Sequence, residues 1–399
     1  LTQNTLALMS HFKPLTPPLR SRLPQVGTTI FSTMSALAQA HGAVNLGQGF
    51  PDFDCDPALL DAVNAAMRAQ HNQYPAMAGV LLLRQAVVAK VAALYGHSYS
   101  VDDEITITAG ATQAILTALL SVVHPGDEVI VLEPCYDSYL PNIELAGGVA
   151  VRVPLTAGTF RPDFDRLAAA ITPRTRAVII NTPHNPTGTV WSALEMHALA
   201  EILRGTDILV ISDEVYEHMV FDDAPHQSVA RHPELLARSF IVSSFGKTYH
   251  VTGWKVGYVL APRPMMVEFR KVHQYNVFTV NTPMQYGLAA YLQDPQPYLQ
   301  LPAFYQRKRD LFRAGLATTK LYLLPCEGSY FQSVDYRELE TLSAMSGPKA
   351  CEWLTRELGV AAIPMSAFYA DGDSQTIIRF CFAKKDSTLQ SALALLQRL

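Results

Sequence analysis

A lysine, an aspartate and an asparagine each stand directly after a short apolar run in this sequence, and those residue types could share one reaction. Lys247 follows the run Phe240–Ser243, within the stretch Ser244 to Thr248. An amine delivered from an apolar strand into small residues can be buried. Burial lowers its pKa and leaves it nucleophilic or basic near neutral pH. The competing reading is a solvated surface lysine. Asp213 ends the run Ile208–Ser212 and is followed at short range by Tyr216. A carboxylate at the end of a buried strand is costly unless it is paired, and a protonated ring nitrogen would be a suitable partner. A helix N-cap aspartate would also account for it.

Three further turns have the same placement. Ala177–Asn181 runs into a stretch ending Asn185, Pro186, Thr187 and Gly188, in which two prolines and a glycine fix the turn and Asn185 offers both a donor and an acceptor. His184 fills that turn and is given no role. Ile105–Thr108 is followed by Ala109, Gly110, Ala111 and Thr112 and then by a helical pattern. Small residues let backbone amides approach an anion and a helix N-terminus favours negative charge, so this turn suits a phosphate. An ordinary strand-to-helix turn would look similar. Glu128–Leu132 leads to Tyr136, which could stack on a flat ring or simply fill the core. Gly246, Lys247 and Thr248 resemble the end of a nucleotide-binding loop, but that motif needs a glycine at position 241, which is Ile241.

These residues need a frame that brings strand ends together. The expected strands are Ile105–Thr108, Glu128–Leu132, Ala150–Val153, Ala177–Asn181, Ile208–Ser212, Phe240–Ser243 and Gly257–Leu260, with helical spacing over Thr112–Val123 and Ser192–Leu203. Several runs lack polar alternation, as strands covered on both faces should. The pattern predicts an α/β fold with a mostly parallel central sheet and helices on both faces. In such sheets ligands bind beyond the carboxyl ends of the strands. The last hundred residues mix helical patterns (Ala303–Ala317, Pro348–Leu358, Ser387–Arg398) with strands near Gly328–Val334 and Thr376–Phe382, a smaller α+β domain. The expected division is an N-terminal arm over 1–25, a large domain over 51–290, and a small domain from 26–50 and 291–399.

At 399 residues the chain exceeds one ordinary domain of about 150 residues. With 49% hydrophobic residues it can bury a large core. A net charge of −4 without a basic block argues against nucleic acid and anionic membrane as partners. No apolar run is long enough for a membrane span, and the proline-bearing N-terminus lacks the apolar core of a signal peptide. Five widely spaced cysteines without a C-x-x-C suit buried thiols in a reducing compartment, so no metal site is expected and the reading is cytoplasmic.

Taken together, the stretches Gly110–Thr112, Asn185–Gly188, Asp213–Tyr216 and Ser244–Lys247 resemble, in order and spacing, the fold-type I pyridoxal-phosphate-dependent aminotransferases of class I/II, over about residues 25 to 398. The stretch Asn45 to Phe53 and the lysine at 255 are similar to the kynurenine/glutamine/methionine aminotransferase branch, most closely its bacterial methionine aminotransferases. The resemblance implies pyridoxal 5′-phosphate as cofactor, joined to Lys247 as an internal aldimine, with Lys247 later moving the substrate proton. It implies Asp213 on the ring nitrogen, Asn185 and Tyr216 on the ring oxygen, and Tyr136 against the ring face. Gly110, Ala111, Thr112, Ser244 and Lys255 would cradle the phosphate. Much of the family has arginine at the position of Lys255, and lysine offers a point charge rather than a fork. Arg379 and Gly47 would hold the substrate α-carboxylate, Arg379 otherwise being a surface residue on an edge strand. Tyr74 would reach the phosphate of the other subunit of a homodimer.

The implied reaction is a ping-pong transfer of an amino group from methionine or an aromatic L-amino acid to a 2-oxo acid. Phe31, Tyr136 and the stretch Tyr275–Phe278 are expected to line an apolar side-chain pocket, with no second arginine for a dicarboxylate. Two alternatives share the same residues: a carbon–sulfur β-lyase acting on cysteine conjugates, and a non-enzymatic cofactor-sensing regulator. The proline-rich stretch before the matched region, without a basic helix, counts against the regulator.

Overall fold

The computed structural model describes residues 19–372 and 376–399, so residues 1–18 of the expected arm lie outside the described residues. Helix Ile30–His41 and β1 (Val44–Asn45) come first. The central sheet follows, from β2 (Ile105–Thr108), β3 (Glu128–Glu133), β4 (Val149–Pro154), β5 (Thr175–Asn181), β6 (Leu209–Asp213), β7 (Ser239–Ser244) and β8 (Gly257–Leu260). All seven expected strands are present. They lie in the order β2-β8-β7-β6-β5-β3-β4. The pairs β4/β3, β3/β5, β5/β6 and β6/β7 are parallel, whereas β8 runs antiparallel to both β2 and β7.

The apolar runs read as strands because both sheet faces are covered. Val129 and Val131 of β3 pack into one core cluster, and their neighbours Ile130 and Leu132 pack into the other. Ala177 and Ile179 of β5 divide from Val178 and Ile180 in the same way. Side chains that alternate between two dry faces leave no room for polar alternation. Only the edge strand β4 is largely open to solvent.

The C-terminal part contributes β9 (Tyr322–Leu323), β10 (Phe331–Asp335), β11 (Val360–Ala361), β12 (Ile363–Pro364) and β13 (Ile377–Cys381). An antiparallel sheet runs β12-β13-β10-β9, while β11 pairs in parallel with β1. Helices Leu301–Leu316 and Asp386–Leu396 pack on one another. The helix expected over 348–358 is instead Gly347–Trp353 followed by a wider helical turn, Leu354–Leu358, stopped by Gly359 at a φ of 84°. β13 is an interior strand, and Arg379 on it is 1% exposed. The surface, edge-strand alternative for Arg379 is therefore wrong, because the flanking strands and apolar neighbours bury it.

Candidate active site

Sheet register brings the separate turns to one edge. Asn181 pairs with Asp213 across β5 and β6, and Asp213 with Val242 across β6 and β7. Ser244 and Thr108 both pair with Gly257, at the start of the reversed strand β8. That reversal delivers Lys255 to the same edge from the amino end of its strand. A β-carbon added at Gly257 would lie 2.6 Å from the Ser243 carbonyl, so the three strands meet this closely only with glycine there.

A cavity of about 260 Å³ opens at this edge. Its lining includes Gly110, Ala111, Thr112, Ser244, Lys247 and Lys255, together with Phe31, Tyr136, Asn185, Asp213, Tyr216 and Arg379. Helix Gly110–Val122 points its N-terminus into the cavity, and its first amides have no side-chain cap. Gly110 sits at a φ of 77°, where a β-carbon would come 3.4 Å from Lys255 Nζ. The amine therefore lies over the helix start, an arrangement that attracts an anion.

Burial is what shifts the reactive groups. It pushes Lys247 down to about 8, with the Arg379 and Lys255 charges acting the same way and Asp213 opposing. Its Nζ donates to the Tyr330 hydroxyl at 2.8 Å and to the Gly49 carbonyl at 3.2 Å. Burial also raises Asp213 to about 6, against hydrogen bonds from Tyr139 and the Val215 amide. The Tyr139 hydroxyl donates to Asp213 Oδ2 at 2.6 Å. Arg379 is brought down to about 10 by burial and so stays protonated at neutral pH. Its Nη1 donates to Asn185 Oδ1 at 2.6 Å and its Nη2 to the Gly47 carbonyl at 3.2 Å, while Nε has no partner among the described residues. The guanidinium stacks 3.8 Å from the centre of the Phe331 ring, with Phe368 and Phe31 farther out. Asn181 braces the strand ends, donating to the Asp213 carbonyl and accepting from the Asn185 amide.

Two expected residues stand outside the cavity. Gly47 touches it only through its carbonyl on Arg379. Tyr74 is 81% exposed and meets the Phe278 ring edge-on at 5.3 Å. The expectation that Tyr275–Phe278 lines the side-chain pocket fails for this chain's own cavity. Helix Arg263–Asn276 ends on the outer surface, leaving Tyr275 91% exposed. His184 is buried against Thr187 in its turn, as expected.

Sequence reasoning missed Tyr330, which touches Lys247, Tyr139, which touches Asp213, and Phe331 beneath Arg379. Tyr139 lies three residues after Tyr136 and could have been found by asking what satisfies a buried carboxylate. Tyr330 and Phe331 carried no local signal.

The comparisons agree with this geometry. Residues 41–396 match the family model of aminotransferases of class I and II. This chain is an aminotransferase of that family. Class I and II aminotransferases depend on pyridoxal phosphate, and this one does so as a member. It is 51% identical to a methionine aminotransferase of Escherichia coli, over 97% of this chain and 99% of that protein. A solved structure identified with methionine aminotransferase function in that organism superposes with a TM-score of 0.94, covering 97% of this chain and all of the other. A probable N-succinyldiaminopimelate aminotransferase of Mycobacterium tuberculosis is 41% identical over 94% of this chain and 96% of its own. A kynurenine–oxoglutarate transaminase of Dictyostelium discoideum is 35% identical over 92% and 93%. These transaminase relatives lend no support to the β-lyase or regulator alternatives. No helix among the described residues is long and apolar enough to cross a membrane.

Proposed function

We propose that this aminotransferase moves the amino group of methionine or an aromatic L-amino acid to a 2-oxo acid, and that Lys247 carries the proton. The supporting observation is the pairing of a lysine lowered to about 8 with a buried aspartate in one cavity, beside a cation and an open helix N-terminus. This donor set fits the cofactor: an amine for its aldehyde, a carboxylate for its ring nitrogen and an anion cradle for its phosphate. Pyridoxal phosphate, when bound, supplies the carbonyl that takes up the amino group and a ring that draws electrons from the substrate Cα.

Lys247 would anchor that aldehyde at rest and hold the transferred proton during turnover. Asp213, oriented by Tyr139, would keep the ring nitrogen protonated. Asn185 and Tyr216 would bond the ring oxygen, and Tyr136 would cover the ring face. Gly110, Ala111, Thr112, Ser244 and Lys255 would hold the phosphate. Arg379, on its aromatic bed and with its Nε unpartnered among the described residues, would take the α-carboxylate of both substrates, with Gly47 closing over it.

Among the described residues the cations lining the cavity are Lys247, Lys255 and Arg379, and none of these is left for a second carboxylate. Together with Phe31 and Tyr136 this favours uncharged side chains. The exposed Tyr74 and Phe278 support a homodimer in which Tyr74 reaches the neighbouring phosphate. We further divide the chain into a large domain over 51–290 and a small domain from 26–50 and 291–399. β1 and helix Ile30–His41 pack on the C-terminal elements, which supports the discontinuous boundary. The free thiols support a cytoplasmic setting.

The deciding experiment is an absorbance spectrum before and after borohydride, with Lys247→Ala alongside. Borohydride should fix the cofactor to Lys247, and the band should shift on adding methionine. A protein that stays colourless after incubation with pyridoxal phosphate, or aspartate as the best donor by kcat/KM, would overturn the reading.

A further inference from the structure

Lys384 is a buried lysine that no step above uses. It is 3% exposed, and among the described residues it forms no ion pair. Its Nζ donates instead to two backbone carbonyls, Phe50 at 2.7 Å and Gln48 at 3.4 Å, and lies 5.2 Å from the centre of the Phe50 ring. A buried ammonium without a counter-ion is expensive, and it persists only where its hydrogen bonds are needed.

Those two carbonyls belong to a strap, residues 47–50, that forms part of the cavity wall. Gln48, Gly49 and Phe50 all line it. Four consecutive carbonyls of this strap accept from cationic side chains in alternation. Gly47 accepts from Arg379 and Gly49 from Lys247, while Gln48 and Phe50 accept from Lys384. Residues 47–50 are consecutive bends, and their carbonyls divide between two sets of partners. One side faces the groups that must bind cofactor and substrate. The other faces Lys384.

The same strap is tied at both ends to the strand that carries Arg379 and to the helix after it. The Cys381 amide donates to the Leu46 carbonyl, and Asp52 accepts from the Lys385 amide and the Thr388 hydroxyl. When Arg379 turns to a carboxylate and Lys247 to the cofactor, the strap loses both of its bonds from cations on its inner side and keeps there the bond from the Tyr330 hydroxyl to the Gly49 carbonyl. The outer bonds to Lys384 remain.

We propose that Lys384 is a positioning residue that pins the strap over the cavity when Arg379 and Lys247 leave its carbonyls, so that the substrate carboxylate site stays closed to water. The inference rests on the roles proposed for Arg379 and Lys247. Lys384 itself touches neither substrate nor cofactor.

The test is Lys384→Met, which keeps the length of the side chain and removes its donors. Amide hydrogen exchange over residues 47–50 should speed up by about tenfold in the protein loaded with pyridoxal phosphate, and by less without it, where Lys247 still holds the Gly49 carbonyl. KM for methionine and for the 2-oxo acid should each rise about tenfold while kcat falls less than about threefold. Unchanged exchange, or a fall in kcat at unchanged KM, would overturn the proposal. Should Lys384→Met not fold, Lys384→Gln keeps two N–H donors on a shorter, uncharged side chain and should show the same pattern at smaller size, and normal exchange and KM in it would overturn the proposal equally. The exchange measurement needs no substrate, so it stands apart from any error in the assigned amino donor.

Discussion

Lys247 Nζ and the Tyr330 hydroxyl are 2.8 Å apart, and that hydroxyl in turn donates to the Gly49 carbonyl at 2.5 Å. The phenol therefore accepts from the reactive amine and fixes where its lone pair points. Tyr330→Phe should leave the cofactor attached and lower kcat by roughly tenfold to a hundredfold, the worth of one hydrogen bond to a charged group. Single-turnover kinetics with methionine would check this. A wild-type rate would make Tyr330 mere packing.

The depressed pKa of Lys247 has consequences for both attachment and stability. Reaction of the cofactor-free protein with pyridoxal phosphate should accelerate with pH around a midpoint near 8, as the amine loses its proton. The folded protein binds fewer protons than the unfolded chain between about 8 and the ordinary lysine value of 10.5. Lys247 therefore costs stability fully below pH 8, and the cost fades as pH rises to 10.5. Lys247→Met should raise the cofactor-free Tm at pH 7, with the gain vanishing above pH 10.5, readable by calorimetry.

Asp213 works in the opposite direction. Its folded value of about 6 lies above the ordinary aspartate value of 3.8, so folding favours its protonated form. The resulting cost, on the order of 3 kcal/mol, appears as pH rises from the lower value through the upper. Asp213→Asn should therefore leave the cofactor-free protein at pH 7 at least as stable as wild type, while abolishing most turnover. A large loss of stability would mark Asp213 as a structural cap.

Tyr139→Phe tests the orientation of that aspartate. Removing the 2.6 Å hydrogen bond should raise Asp213 further and move the acid limb of kcat/KM to higher pH. An unchanged pH profile would show that Tyr139 only fills space.

Arg379→Lys keeps the charge and loses the fork. KM should rise for the amino acid and the 2-oxo acid alike, and kcat/KM should fall by about one to three orders of magnitude for each. An effect on one substrate only would contradict a shared carboxylate site. Steady-state kinetics of both half-reactions decide it.

The amino-acid sequence by itself determined the strands and the identity of most reactive groups. Lys247, Asp213, Asn185 and the Gly110–Thr112 turn each follow an apolar run, and such runs are legible because a strand covered on both faces has no polar positions. What the tertiary structure alone decided are the contacts made across long separations. Nothing near residue 330 marks Tyr330 as the neighbour of Lys247, and nothing near residue 384 marks its lysine as a pin for residues 48 and 50. Arg379 is equally ambiguous along the chain, since burial depends on which strands flank β13. Tyr275 is aromatic and so suggests a pocket residue, but the end of its helix turns it away from this chain's own cavity. Local pattern fixes which elements form, but the distance between two side chains is set by how those elements pack.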